Sequence, residues 1–82
     1  MDLNRLRGEI IAEFGTQDEF SKAINWHKSK VSRILRGKYI PNIEEAAEIA
    51  RILGLSTSQY EQIFLREKSP IGDNQAIRGG RL

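Results

Sequence analysis

Apolar residues recur at helical spacing from the start of the chain. Leu3, Leu6, Ile10 and Phe14 fall on one face of a helix predicted over 3–14, with Asp2 as its cap and Gly15 as its stop. Arg5, Arg7, Glu9 and Glu13 lie away from that stripe. Thr16 is placed to cap a second helix, and Glu19 three residues later completes a capping-box pattern. Phe20, Ala23 and Ile24 give this helix its apolar side, and its two turns are too short to stand alone. Asn25 follows, a residue type that tolerates a left-handed turn. Trp26 comes next.

A third helix begins near His27 or Lys28 and ends at Gly37. At 100° per residue, Val31, Ile34 and Leu35 cluster on the side that must face a core. The opposite side carries Ser29, Ser32, Arg33 and Arg36, with Lys28 at the exposed amino-terminal end and Lys30 flanking. A loop over 38–42, closed by Pro41, leads to a fourth helix over 43–53 capped by Asn42. Its expected apolar face is Ile43, Ala46, Ala47, Ile49, Ala50 and Leu53, with Glu44 and Glu45 favourably placed in the first turn. Gly54 ends it. Ser56 or Thr57 caps a fifth helix running to about Arg66, with Tyr60, Ile63 and Phe64 apolar. The reading is an all-α domain of five helices over 1–68, followed over 69–82 by a loose tail rich in Gly, Pro and polar residues.

Length and composition narrow the function classes. Eighty-two residues make one small domain with a modest core. With no cysteine there are no disulfides, no thiolate metal site and no thiol catalysis. No apolar run suits a signal peptide or a membrane span, so a soluble cytoplasmic protein is expected. The net charge of +2 is small, but its distribution is uneven. Between Phe20 and Ile43 stand six Lys or Arg and no Asp or Glu, whereas the remainder holds seven basic and eleven acidic residues and sums to −4. A basic segment on an acidic body suits a surface for phosphates; a solvated helix face is the plainer alternative.

The outer face of the third helix favours the phosphate reading. Serines keep its middle narrow while long cationic side chains reach out. Arg33 is the leading base reader, since arginine grips guanine O6 and N7 bidentately; a phosphate contact is the alternative. His27 is the only histidine, and no nucleophile or metal ligand is spaced to work with it, so catalysis is not expected. It is either a capping or surface residue or a further DNA contact. Trp26 fits a core position better than a base-stacking one. Glu44, Glu45 and Glu48 read as a solvated helix face rather than a metal site. No cofactor is expected.

These motifs resemble the lambda-repressor-like (Cro/repressor type) helix-turn-helix domain, a compact bundle of five helices. The resemblance spans about 3–64 and rests on TQDEF at 16–20, VSRI at 31–34, RGK at 36–38, and PNIE followed by IARILGLS over 41–56. The opening LRGEIIAEFGTQ is closer still to small phage-encoded Cro-like regulators of Gram-positive hosts. The resemblance implies that Gln17 grips a phosphate and buttresses the recognition helix. It implies that Lys28, Ser29 and Arg33 read base edges in the major groove, and that Arg36 and Lys38 hold the backbone beyond. Ser32 shares the reading face; Lys30 and Tyr39 are added as phosphate contacts from helix geometry and proximity. Two positions depart from the pattern: His27 stands where a capping Ser or Thr is usual, and Asn25 where glycine is common.

The implied function is a sequence-specific repressor, nucleoid-associated in a bacterial host cell, that binds a double-stranded DNA operator as a homodimer. Ile52, Leu55, Tyr60, Ile63 and Phe64 are candidates for the dimer interface, although some of them must belong to the core. The rival is an antirepressor or modulator that acts by contact with a partner repressor.

Overall fold

The computed structural model describes residues 1–65, and the tail expected over 69–82 lies outside them. Among the described residues all regular structure is helical: α1 (Leu3–Phe14), α2 (Gln17–Ile24), α3 (Lys28–Leu35), α4 (Ile43–Leu53) and α5 (Thr57–Tyr60). A π-helical turn, Glu61–Leu65, continues α5. This is the expected five-helix architecture. The fifth helix differs in detail, being four residues long before its hydrogen bonds widen.

Local chemistry sets most boundaries. Asp2 caps α1 by accepting from the Arg5 N–H at 3.1 Å, and Asn42 caps α4 in a complete reciprocal box with Glu45. Ser56 and Gln59 form the same box on α5. At Thr16 only the first half of the box forms. The Glu19 N–H donates to Thr16 Oγ1 at 3.1 Å, while the Glu19 carboxylate sits 3.6 Å from Lys22 Nζ. Asn25 ends α2 with φ 61°, the one described non-glycine residue with positive φ. The amide of Asn25 then reaches Lys22 O, and that of Trp26 reaches Ser21 O, which satisfies the last carbonyls of the helix. Gly37, at φ 75°, closes α3 in the same way, with its own amide on Ile34 O and that of Lys38 on Arg33 O.

The core is Leu6 and Ile10 of α1, Phe20 and Ile24 of α2, Val31, Ile34 and Leu35 of α3, Ile49 and Leu53 of α4, and Ile63 of the π-helical turn. α1 packs against α2, α3, α4 and the π-helical turn, so the recognition unit rests on a scaffold drawn from both sides of it in the chain. Asp2 N–H donates to Ile63 O at 2.8 Å and ties those parts together. Phe14 leans on Phe20 with ring centroids 5.7 Å apart.

Three expectations about the core need correction. Ala23 is exposed, and α2 buries Ser21 instead, whose hydroxyl donates to Asp18 O at 2.7 Å and so keeps a partner on leaving water. Ala47 lies off the line through Ala46, Ile49 and Leu53 and is exposed. Ile43 is 83% exposed because it is the first residue of α4, and helix side chains tilt toward the amino-terminal end, beyond the packed turns. Among the interface candidates, some of which had to be core, Ile63 is the one that is 0% exposed and belongs to the core. Tyr60 and Phe64, also offered there, are half-buried with ring centroids 5.2 Å apart.

Candidate nucleic-acid interface

Contacts at both ends and along one side fix α3. At its start His27 is the cap: its Nδ1 accepts the Ser29 N–H at 3.2 Å and lies 2.8 Å from Ser29 Oγ. An imidazole nitrogen thus does what a Ser or Thr oxygen usually does at a helix start. At its end, Arg7 of α1 donates from Nη2 to Leu35 O at 2.6 Å, satisfying a carbonyl of the last turn. Along its length Val31, Ile34 and Leu35 are buried. The helix therefore offers its other side as a fixed surface.

Ser29, Arg33 and Arg36 on that side, with Lys28 and Lys38 at its two ends, are exposed, and Ser32 is half-buried. Ser29, Lys30, Arg33 and Tyr39 line one open hollow, while Arg33, Arg36 and Lys38 line another. Arg33 joins the two. Gln17 is the first residue of α2 and is exposed. Lys28 Nζ is 3.9 Å from Asp18 Oδ2 with both side chains largely in water, where such a pair holds little free energy. Among the described residues, Arg33, Arg36 and Lys38 have no acidic partner.

Lys30 and Tyr39 are placed differently. Lys30 Nζ lies 2.6 Å from Glu45 Oε2, with side chains only 30% and 17% exposed. The same ammonium sits 4.2 Å from the Trp26 ring centre and 5.5 Å from that of Tyr39. The Tyr39 hydroxyl donates to both Glu45 oxygens, at 3.0 and 2.9 Å, and the Asn42 N–H donates to Oε1 at 3.0 Å. Held first by Lys30 and then by the Asn42 amide, the Glu45 carboxyl is lowered to about 2. The bond to Glu45 in turn raises the Tyr39 hydroxyl above its ordinary value. This cluster ties the middle of α3 to the start of α4 through the side chain of Tyr39 in the intervening loop.

Glu45 is the residue positioning this side of α3 that sequence reasoning passed over as part of a solvated face. Its capping role was visible in the spacing from Asn42; its hold on Lys30, fifteen positions away, was not. Trp26 is half-buried, packed against the core and close to the Lys30 ammonium. Glu44, Glu45 and Glu48 do not converge: among the described residues no group of three His, Cys, Asp or Glu could hold a metal ion. No described helix is long and apolar enough to cross a membrane.

A helix-turn-helix family model matches residues 15–60, which includes α2, the turn, α3, α4 and α5. No curated protein and no solved structure gives a significant match. The matched span covers more than half of the chain and contains the capped, cation-bearing α3 mounted on α1 and α4. The chain belongs to the helix-turn-helix family in its lambda-repressor-like form, a family of DNA-binding transcription regulators.

Proposed function

We propose that the protein is a sequence-specific, Cro-like repressor of phage type that lays α3 in the major groove of an operator. One observation carries this reading. Arg33, Arg36 and Lys38 stand together without acidic partners, among the described residues, on the rigidly mounted outer side of α3, beside Ser29 and Ser32. Arg33, Ser29, Ser32 and Lys28 read bases; Gln17, Arg36 and Lys38 hold phosphates. Lys30 and Tyr39 contribute by way of Glu45, keeping the helix at its angle. The protein is not an enzyme, and its site of action is the bacterial nucleoid.

The protein binds as a homodimer to half-sites about one helical turn, ~34 Å, apart. An apolar hollow supports pairing: Met1, Ile40, Pro41, Ile43, Tyr60, Phe64 and Leu65 line it, with Ile40 81% and Leu65 62% exposed. The same hollow favours the second reading, in which the partner is a separate repressor and the protein modulates it.

Anisotropy titration against DNA from the protein's own gene neighbourhood tests the first reading. Affinity should fall with salt by about 0.9 log unit per phosphate contact per decade. A flat salt dependence, with Arg33→Ala and Gln17→Ala binding like the parent, would leave only the second reading. Sedimentation on operator DNA tests the pairing, and a strict monomer counts against it.

A further inference from the structure

His27 does more than cap α3. The Ser29 N–H donates to Nδ1 at 3.2 Å, so Nδ1 carries a lone pair and the ring proton resides on Nε2. A proton on Nδ1 would set two donors facing each other across that distance. The second contact, Nδ1 to Ser29 Oγ at 2.8 Å, then has one sense: the serine hydroxyl donates to the imidazole. A serine has one hydroxyl proton. With it committed, the exposed Oγ turns only lone pairs outward.

We propose that His27 fixes the hydrogen-bond polarity of Ser29, so that Ser29 reads a donor on a base edge, the exocyclic amine of adenine or cytosine, and rejects guanine and thymine. This rests on the operator reading above and deepens it. In the major groove the donors are adenine N6 and cytosine N4, while guanine O6 and N7 and thymine O4 accept. A free serine hydroxyl rotates to suit either kind and discriminates little. A locked one faces guanine O6 or thymine O4 with lone pair against lone pair. Ser29 shares its hollow with Arg33, whose guanidinium only donates and so selects acceptors. One turn of α3 thus presents an acceptor and a donor side by side. Four residues advance about 6 Å along a helix. At ~3.4 Å per base the two contacts fall within about two positions of each other.

His27 is a positioning residue here, and its capping and locking roles separate by substitution. An asparagine side-chain oxygen can occupy the place of Nδ1, so His27→Asn keeps both the cap and an acceptor for the hydroxyl. Glycine is tolerated at a helix cap with little loss, so His27→Gly removes the lock while α3 persists. Sites selected from a randomised duplex pool at pH 8 should show adenine or cytosine near the Arg33-dependent guanine. The expected preference over guanine and thymine is roughly tenfold, as one hydrogen bond supplies. Ser29→Ala should flatten that position alone. His27→Gly should bring the preference below about twofold there and leave the other positions intact, and His27→Asn should restore it. Nitrogen-15 spectra of the free protein should show the His27 proton on Nε2.

Guanine or thymine at the Ser29-dependent position overturns the proposal, as does an unchanged preference in His27→Gly. An Nδ1–H ring with a normally enriched pool overturns it alone. A pool with no enriched sequence overturns the operator reading and this proposal with it.

Discussion

Of the six cations between residues 20 and 43, Lys22 and Lys28 sit in water beside Glu19 and Asp18, and the other four divide sharply in space. Lys30 is enclosed by Glu45, Trp26 and Tyr39. One turn further along α3, Arg33 stands in the open, next to Arg36 and Lys38, with no acidic partner among the described residues. The difference comes from α4, which brings Glu45 to the middle of α3 and no carboxylate to its end. Within one basic run, therefore, one cation holds the helix while three others stand without an acidic partner among the described residues. Charge counting cannot separate them, because the deciding residue lies outside the run.

Both groups depend on one platform, so the largest effect breaks the comparison altogether. Phe20→Ala removes a buried ring from the core that α2 and α3 share and should cost about 3–5 kcal/mol in urea unfolding. Next, Arg33→Ala should weaken binding to a selected site by about 1–3 kcal/mol and relax the guanine position, with an unchanged melting temperature.

Lys30→Ala should do the reverse. Losing the ammonium leaves the half-buried Glu45 carboxylate without its counter-charge, so the unfolding midpoint should drop while the salt slope of DNA binding holds. A slope reduced by about 0.9 would instead make Lys30 a phosphate contact. In contrast, that reduction is expected for Arg36→Ala and again for Lys38→Ala.

Acid probes the enclosed side through Glu45. The Glu45 carboxyl is lowered to about 2 in the fold, against an ordinary value of 4.5. The unfolded chain therefore binds the proton more readily. The contribution is present above pH 4.5 and is lost as pH falls toward 2. Melting temperature should decline over that window, and less in Glu45→Gln. The smallest expected effect is at the exposed pair of Lys22 and Glu19, where Lys22→Ala should change stability by less than about 0.5 kcal/mol.

What could be read in advance followed how far each cause reaches along the chain. The caps at Asp2, Thr16 and Asn42, the stops at Gly15, Gly37 and Gly54, and the inward face of α3 all arise within four or five residues. Three features resisted for different reasons. The Glu45–Lys30 pair needs α3 and α4 packed before it exists. Ile43 matches an apolar stripe by angle but overhangs the end of its helix, which angle alone does not register. His27 stayed open between a cap, a surface residue and a DNA contact, because the usual cap residues are chosen for oxygen acceptors. A neutral imidazole offers the same lone pair from nitrogen.

The bond between the Asp2 amide and the Ile63 carbonyl bears on how the domain is assembled in time. Nearly every other hydrogen bond joins neighbours a few positions apart, which favours rapid formation. This one closes a loop around almost the entire described chain and gains nothing until α1 and the π-helical turn have both arrived. Loop-closure entropy puts it late on the folding path and early on the unfolding one. In hydrogen exchange, Asp2 should therefore lose protection through partial opening, ahead of Ile34 and Ile49, which report the unfolding of the whole domain.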